Sequence, residues 1–343
     1  MGIFTSENEF VGVDIGSTAL RIVQIKKDSG RNNLIAFASV PIPGSISRSD
    51  SKLDMQTVAQ IIKNLFETTK ISTKSVVTSL PTSSVFSTII KMPPMSKGEL
   101  AKAVKFQAEQ NIPLKIEDVR FDWQVVRENP ITKETAVMIV AAPKTKTERM
   151  LELFEMAGKQ VVYLETSAIA VARALSQPND PLTMILDIGA IATELTIIEN
   201  GVVSHVRSLP SAGFALTRSV SQSLGLDIEQ AEQFKIRFGL SENKLEGQVF
   251  RAMEPVLTNI IEEIRRSLKF YLDQFGGALK KIVLTGGGSC TPEILSYLRS
   301  ELNIEVVQGD PWTNIVYDPN LKGELNENAF TFACAVGLAK REN

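Results

Sequence analysis

The chain has 343 residues, of which 43% are hydrophobic and 22% charged, and its formal net charge is −2 at pH 7. This composition is typical of a globular protein long enough for two lobes, and the lack of a long basic run argues against a nucleic-acid surface. The sequence supports no zinc site, disulfide framework, signal peptide or membrane span, and its two distant cysteines, Cys290 and Cys334, fit a cytosolic protein.

The first predicted elements, in residues 10–26, form a β-hairpin with a polar turn. Alternating apolar residues precede the turn from Val11 and follow it from Leu20. In the turn a glycine lets the backbone approach a phosphate oxygen, two hydroxyls can donate to it, and a carboxylate can hold magnesium directly or through water. These residues are Gly16, Ser17, Thr18 and Asp14. Taken alone, the stretch is explained at least as well by an ordinary turn.

The next predicted elements complete a first lobe and add an insertion to it. A strand at 34–40, a helix at 53–70 and a strand at 74–80 give the order β-β-β-α-β, which is typical of a mixed sheet. From residue 84 the strands and helices follow a separate α+β pattern. We interpret this block as a subdomain inserted at about residues 84–162. A helix of small residues follows at 167–175.

A linker at 177–181 precedes a second copy of the opening pattern. Residues 183–203 again contain a strand that ends on Asp-Ile-Gly, at Asp187, then a turn and a second strand. The dipeptide Asn200-Gly201 predicts a tight hairpin because both residues tolerate positive φ. Two such hairpins, about half a chain apart, indicate two lobes of similar architecture that face one another.

The second lobe continues with helices predicted at 214–224, 227–238 and 248–275. Glu232 and Lys235 are three positions apart on the middle helix. This spacing is most simply explained by an exposed intrahelical ion pair, which contributes only tenths of a kcal/mol.

A third signal for phosphate lies late in the chain, where a buried strand runs into Gly286-Gly287-Gly288. Thr291-Pro292 is predicted to open the following helix, and a helix N-terminus favours anions. A ligand lying against bare backbone is favoured over a flexible turn, which would cost conformational entropy without return. A small-residue helix at 328–340 mirrors the one at 167–175, and small side chains predict that the two cross closely at a hinge.

These features, in this order, resemble the actin-like ATPase superfamily, which includes actin, sugar kinases, the heat-shock chaperone ATPases and FtsA. The stretch ENGVVSHVRSLPSAGFALTRSVSQSLGLDIEQAEQFK, followed by KLEGQVFRAMEPVLTNIIEEIRRSLKFY and LTGGG, is similar to the PilM family of type IV pilus assembly proteins. The resemblance implies an α/β actin-like ATPase fold with two ribonuclease-H-like lobes. Residues 1–176 and 328–343 would form the first lobe, which carries an FtsA/PilM-type inserted α+β subdomain, and 177–327 the second, with nucleotide between them.

The resemblance also implies roles for individual residues in a site for ATP and Mg²⁺. Asp14 and Asp187 would flank the magnesium ion, directly or through water. Phosphate contacts would come from Gly16, Ser17, Thr18, Gly189, Thr193 and Gly213, and Arg21 stands where relatives often carry lysine. Glu232 and Lys235 would lie beside the adenosine, Gly286, Gly287 and Gly288 beneath the nucleotide, and Glu165 would position the attacking water. In the second loop Ala190, Ile191 and Ala192 replace hydroxylated residues, so ATP binding is expected with weak or absent hydrolysis.

The implied function is that of a cytoplasmic protein docked on the N-terminal tail of PilN, an inner-membrane protein, which it links to the pilus motor ATPases. Membrane association would be indirect and peripheral, nucleic acid is not expected as a partner, and self-association stays open. One alternative is an FtsA-like division protein, although no terminal amphipathic helix follows Lys340. A less favoured alternative is a small-molecule kinase on the same fold, for which Glu165 is the best available base.

Overall fold

The structure is a computed structural model that describes residues 10–47, 49–129 and 131–342. Residues 1–9, on which part of the signal-peptide prediction rests, lie outside this range. The strands are β1 (Val11–Ile15), β2 (Ala19–Asp28), β3 (Arg31–Pro41), β4 (Ser75–Leu80), β5 (Phe86–Met92), β6 (Val119–Glu128), β7 (Thr135–Pro143), β8 (Gln160–Thr166), β9 (Thr183–Ile188), β10 (Thr193–Glu199), β11 (Val202–Leu209), β12 (Lys281–Thr285), β13 (Glu305–Gln308) and β14 (Ile315–Val316). The helices are α1 (Gly44–Ser47), α2 (Lys52–Thr68), α3 (Lys97–Asn111), α4 (Lys144–Met156), α5 (Ser167–Leu175), α6 (Gly213–Leu224), α7 (Ile228–Phe238), α8 (Gln248–Phe275), α9 (Ile294–Leu302), α10 (Lys322–Glu327) and α11 (Ala333–Ala339).

Two mixed sheets repeat the same design. The first has the order β14-β3-β2-β1-β4-β8, and the second has the order β11-β10-β9-β12-β13. Each sheet contains an antiparallel hairpin with Asp-Ile-Gly at its turn, β1–β2 or β9–β10, whose first strand pairs in parallel with a later strand. The predicted internal repeat is therefore present in the structure. The Asn200-Gly201 turn is also confirmed, with φ of 53° and 77° at its two residues.

The insertion carries its own antiparallel sheet, ordered β5-β7-β6. Alternate residues of β7 face opposite sides, because successive side chains of a strand point to opposite faces. Val137 and Ile139 pack with helix α3, whereas Met138 and Val140 pack towards the second lobe. Helix α4 does not belong to this unit, because its Phe154 is buried in the core of the first sheet. The independent unit therefore runs from β5 to β7 and is shorter than the predicted 84–162.

The chain also returns to the first sheet earlier than the predicted boundary at residue 328. Strand β14 pairs in parallel with β3, and Trp312 and Leu325 are buried in a cluster with Val23 of β2. This segment packs on an apolar surface of β2 and β3. Because those strands are remote in sequence, the local pattern of residues could not predict this docking. The lobe division itself stays a prediction.

Helices α5 and α11, here called the hinge helices, cross at very short range. A Cβ placed on Gly337 of α11 would overlap the carbonyl of Ala170 on α5. The same helix lies against β1, where a Cβ on Gly12 would overlap the backbone of Ala335. The predicted close crossing is confirmed. Within the described residues, no helix has both the length and the apolar character needed to cross a bilayer.

Candidate functional site

A cleft of about 1170 Å³ lies where the two Asp-Ile-Gly hairpins approach one another. Most of the residues predicted for the nucleotide site line it. They are Asp14, Gly16, Ser17, Thr18, Arg21, Asp187, Gly189, Gly213, Glu232, Lys235, Gly286, Gly287 and Gly288. The tertiary structure thus brings five separate stretches of the sequence, at 14–21, 187–189, 213, 232–235 and 286–288, into one site.

The first loop is a tight turn whose shape depends on Gly16. Its N–H donates to the carbonyl of Ala19 at 3.0 Å, and a Cβ at this position would lie 2.9 Å from the same oxygen. Beside the loop, Arg21 lies 3.8 Å from the Asp14 carboxylate. Among the described residues, the buried Nε of Arg21 has no hydrogen-bond partner. A buried donor without a partner is costly, so this loop fits an anionic ligand.

The second loop is anchored to helix α6 by backbone hydrogen bonds. Gly213 N–H donates to the Gly189 carbonyl at 3.0 Å, and Phe214 N–H donates to the Ala190 carbonyl at 2.7 Å. The loop carbonyls therefore point towards α6. Thr193 does not line the cleft: it is buried, and its hydroxyl donates to the Ser211 carbonyl at 2.6 Å. The structure thus gives Thr193 a role in holding the loop, in place of the predicted phosphate contact.

Three partly buried carboxylates, Asp14, Asp187 and Glu194, line the cleft close to one another. Burial raises the pKa of Asp14, although the neighbouring Arg21 partly opposes this rise. Burial, together with the charges of Glu194 and Asp14, raises the pKa of Asp187 to about 7. Burial also raises the pKa of Glu194, against hydrogen bonds from Thr82 and Ser167 that lower it. In each of these groups the environment disfavours the ionised form. A bound cation would stabilise that ionised form.

Glu232 and Lys235 form part of a partly buried network. The Lys235 ammonium is 2.7 Å from Glu232 Oε2, 2.9 Å from Thr217 Oγ1 and 3.3 Å from the Gly213 carbonyl. The predicted intrahelical ion pair forms, but only its Glu232 side chain is exposed, at 42%, whereas Lys235 is 7% exposed. The network fixes α7 against the start of α6 at the cleft wall.

The glycine triplet brings β12 against the second hairpin. Gly286 has a φ of 81°, and a Cβ there would overlap the Asp187 carboxylate. A Cβ on Gly288 would overlap the side chain of Ile188, whereas one on Gly287 would meet no atom within 4 Å. Gly287 is therefore the position that leaves room for a ligand. Helix α9 begins only at Ile294, two residues after the predicted first position at Pro292.

Glu165 does not lie in the cleft, which corrects its predicted role in positioning water. Its two carboxylate oxygens accept hydrogen bonds of 2.6 and 2.8 Å from Arg173, and Arg341 pairs with the same group. Arg173 also donates to the carbonyl of Gly337 on α11. This buried carboxylate therefore joins α5 to the C-terminal segment and is not free to act on water.

Glu194 is the carboxylate that sequence reasoning missed. It lines the cleft and lies opposite Asp187 in the β9–β10 register. Its oxygens accept hydrogen bonds from the Thr82 N–H and hydroxyl, at 3.2 and 2.9 Å, and from the Ser167 hydroxyl. The sequence marks it only as an acidic residue two positions after the Ala190–Ala192 turn, at the start of β10, and this position alone does not show that it faces the cleft.

The donor set fits magnesium only together with a phosphate ligand. No group of three acidic, histidine or cysteine side chains among the described residues could hold a metal by itself. Magnesium ordinarily keeps several waters and takes one or two carboxylates plus substrate phosphates. Asp14 and Asp187, which are partly buried and line the cleft, match that requirement.

Residues 12–343 match the sequence model of a family described as type IV pilus assembly protein PilM. The solved structure of a PilM–PilN type IV pilus biogenesis complex superposes with a TM-score of 0.82 at 29% identity, covering 96% of this chain and 97% of the other. The fold is therefore the predicted actin-like ATPase fold.

Two more distant relatives agree with this fold. The cell division protein FtsA of Neisseria meningitidis serogroup B is 24% identical over 70% of this chain, and the match spans 64% of its own length. An MreB of Spiroplasma citri, solved with ADP bound, superposes with a TM-score of 0.54 at 13% identity, covering 96% of this chain and 95% of the other.

Proposed function

The chain belongs to the PilM family of type IV pilus assembly proteins, and from that membership we propose that it binds Mg²⁺ and ATP between its lobes while docking PilN. The observation that carries the nucleotide proposal is the convergence of both Asp-Ile-Gly turns and Gly287 on one cleft. The MreB neighbour was solved with ADP, which supports a nucleotide ligand.

The residues of the cleft divide the work of holding the ligand. Backbone N–H groups of the first turn, with Ser17 and Thr18, would receive phosphate oxygens, and the Arg21 guanidinium would complement their charge. Asp14 and Asp187 would hold magnesium, which neutralises phosphate charge when it is bound. Lys235 is held by its hydrogen bonds, and it would keep helices α6 and α7, which line one side of the cleft, in place beside the nucleoside.

Hydrolysis is proposed to be weak or absent. The cleft side of the second loop offers alanine methyl groups at Ala190 and Ala192 in place of hydroxyl donors. Glu165 is engaged by two arginines, and the oxygens of Glu194 already accept hydrogen bonds. The function supported best is therefore conformational: ATP bridges two lobes and stabilises one relative orientation of them.

We propose a PilN-like N-terminal peptide as the main partner. The support is the PilM–PilN complex, whose fold this chain shares over almost its full length. The protein would lie in the cytoplasm, bound to the inner membrane through this partner, and would pass its state to the pilus motor ATPases. The inserted sheet β5-β7-β6 is proposed to border the peptide cleft.

Calorimetric titration with Mg·ATP tests the nucleotide site. Asp14→Ala is expected to weaken binding by at least tenfold, because it removes a magnesium ligand from the cleft floor. Asp28→Ala, a change of the same kind at the exposed end of β2, is the matched control and should bind like the native chain. Unchanged affinity in Asp14→Ala would refute the site assignment.

A crosslinked pull-down from native membranes tests the partner. Recovery of a single-span membrane protein with a short cytoplasmic tail, together with pilus motor ATPases, is the expected result. A synthetic peptide of that tail then gives a direct titration. Recovery of a tubulin-like division protein, with co-sedimentation on lipid and ATP, would support an FtsA-like function and contradict the pilus proposal.

A further inference from the structure

The N-terminal end of strand β10, in the second sheet, is hydrogen-bonded to residues that lie beside the first sheet. Among the described residues, the hydrogen bonds to the Glu194 carboxylate come from Thr82, just after β4, and from Ser167, the first residue of α5. These contacts are 2.9–3.2 Å long and lie in the nucleotide cleft. Glu194 thus joins the two lobes directly at the candidate site.

The other end of β10 is fastened to the inserted sheet. Glu199 lies 3.5 Å from Arg127 of β6 and accepts a hydrogen bond of 3.1 Å from the Tyr271 hydroxyl. Arg127 also donates to the Phe275 carbonyl, at 2.8 Å, where α8 ends. A cation at the C-terminus of a helix is stabilised by the helix dipole. One arginine of the insertion therefore binds both β10 and the longest helix of the second lobe.

A second cation and an apolar contact strengthen this junction. Lys91 of β5 lies 3.4 Å from the Gln274 carbonyl and 5.4 Å from the ring centre of Phe275. Between these polar contacts, apolar side chains of the inserted sheet pack against the second lobe; they include Ile89, Val126, Met138 and Val140, which meet Ile198, Val203 and Val206. The insertion interrupts the sequence of the first lobe, yet its sheet contacts the second lobe through hydrogen bonds, an ion pair and apolar packing.

We propose that β10 transmits conformational change between the nucleotide cleft and the inserted sheet. This proposal rests on the nucleotide binding proposed above. Strand β10 is paired with β9 from Thr193 to Ile198 and with β11 from Thr193 to Glu199, with one register shift between Ile197 and Ile198. Because both of its neighbours hold it, we expect its two ends to move together. The Cα atoms of Glu194 and Glu199 are about 17 Å apart at the ordinary rise of a strand. A change of lobe angle that moves Glu194 therefore also moves Glu199 and the Arg127 that it binds.

The coupling acts equally in both directions. If nucleotide changes the position of the inserted sheet, a peptide bound at that sheet changes nucleotide affinity by the same factor. The device needs two arrangements of the junction, one with Arg127 bound to Glu199 and the α8 end and one with it released. Nucleotide would favour one of these arrangements, and the partner peptide would bind the two arrangements with different affinities.

Hydrogen–deuterium exchange on the full chain, with and without saturating Mg·ATP, tests this coupling. Peptides covering β5 and β6 report on the inserted sheet. In the native chain Mg·ATP is expected to change their exchange rates several-fold. Arg127→Gln should reduce that change at least threefold, because the variant keeps a polar side chain but loses the charge and the reach of the guanidinium. Arg120→Gln, an exposed arginine on the same strand, is the matched control and should behave like the native chain.

Calorimetry on the same samples separates the two proposals. Nucleotide bound with no change of exchange in β5 and β6 overturns the coupling and leaves nucleotide binding intact. A change that persists in full in Arg127→Gln overturns the route through β10. Absence of nucleotide binding overturns both. If Arg127→Gln does not fold, Tyr271→Phe is the second variant, because it removes only the hydroxyl that donates to Glu199. In that variant the effect of Mg·ATP on the exchange rates of β5 and β6 should be about twofold smaller.

Discussion

Gly337 and Ala170 meet backbone to backbone where the hinge helices α11 and α5 cross. A Cβ on Gly337 would overlap the Ala170 carbonyl, so glycine is required at this position by packing alone. All residues of α11 are buried, and the helix also lies against β1, which carries Asp14 into the cleft. The crossing therefore sets the position of the first loop relative to the rest of the molecule.

Gly337→Ala is expected to lower the free energy of unfolding by about 1–3 kcal/mol, because the hinge helices must move apart to accept the methyl group. Gly323→Ala is the matched control: it lies in α10, and an added Cβ there meets no atom within 4 Å. That variant should be neutral or more stable by about 0.5–1 kcal/mol. Urea unfolding of both variants gives the comparison, and equal stabilities would contradict the close crossing.

Asp187 should destabilise the ligand-free protein at high pH. Its pKa is about 7 in the folded chain, above the ordinary 3.8, so the folded state binds a proton that the unfolded chain has released. Its contribution to stability is complete below about pH 3.8 and is lost as the pH rises through 7.

Asp187→Asn is therefore expected to raise stability more at pH 8 than at pH 5, by about 2 kcal/mol, while abolishing Mg·ATP binding. Thermal unfolding of the apo-protein at both pH values measures this, with Asp28→Asn as an exposed control. A stability difference that is independent of pH would contradict the raised pKa.

His205 should destabilise the fold in mild acid. Burial, aided by the charge of Arg207, lowers its pKa from 6.5 to about 4, and its ring lies 5.4 Å from that of Phe270. The unfolded chain therefore takes up a proton first, so stability is complete above pH 6.5 and falls as the pH drops towards 4.

Between pH 7 and pH 5 the free energy of unfolding of the native chain should fall by at most about 2 kcal/mol more than that of His205→Gln. Chemical unfolding at several pH values tests this. His205 is the only histidine in the sequence, so its proton NMR signal gives the pKa without assignment. A titration midpoint near 6.5 would refute the burial effect.

Glu165→Gln separates a structural role from a catalytic one. Loss of the charge leaves Arg173 and Arg341 facing a neutral amide in a site where the native side chain is 6% exposed. We expect the free energy of unfolding to fall by about 2 kcal/mol, with Mg·ATP affinity unchanged within twofold. Glu155→Gln, on the exposed face of α4, is the control. Selective loss of ATP turnover, with stability retained, would restore Glu165 as a catalytic residue.

Local pattern was enough to predict the two hairpins and most helices. The Asn200-Gly201 turn forms as predicted because it depends on two adjacent residues. The capping box of Asp227 with Gln230, at the start of the predicted helix α7, likewise depends only on residues close in sequence. Helix α8 has the predicted bounds because its apolar residues recur at helical spacing over the whole 248–275 stretch. The repeated Asp-Ile-Gly pattern also indicated two similar lobes, since each copy closes within its own hairpin.

The tertiary structure alone decided which carboxylates face the cleft. Glu165 lies near the end of β8 and Glu194 near the start of β10, and no local feature shows that arginines contact the first and hydroxyls the second. The docking of β14 on β3 and the packing of α4 in the first core likewise depend on surfaces remote in sequence. Sequence determined the elements because their hydrogen bonds are local, whereas the partners of buried charges depend on how the elements pack.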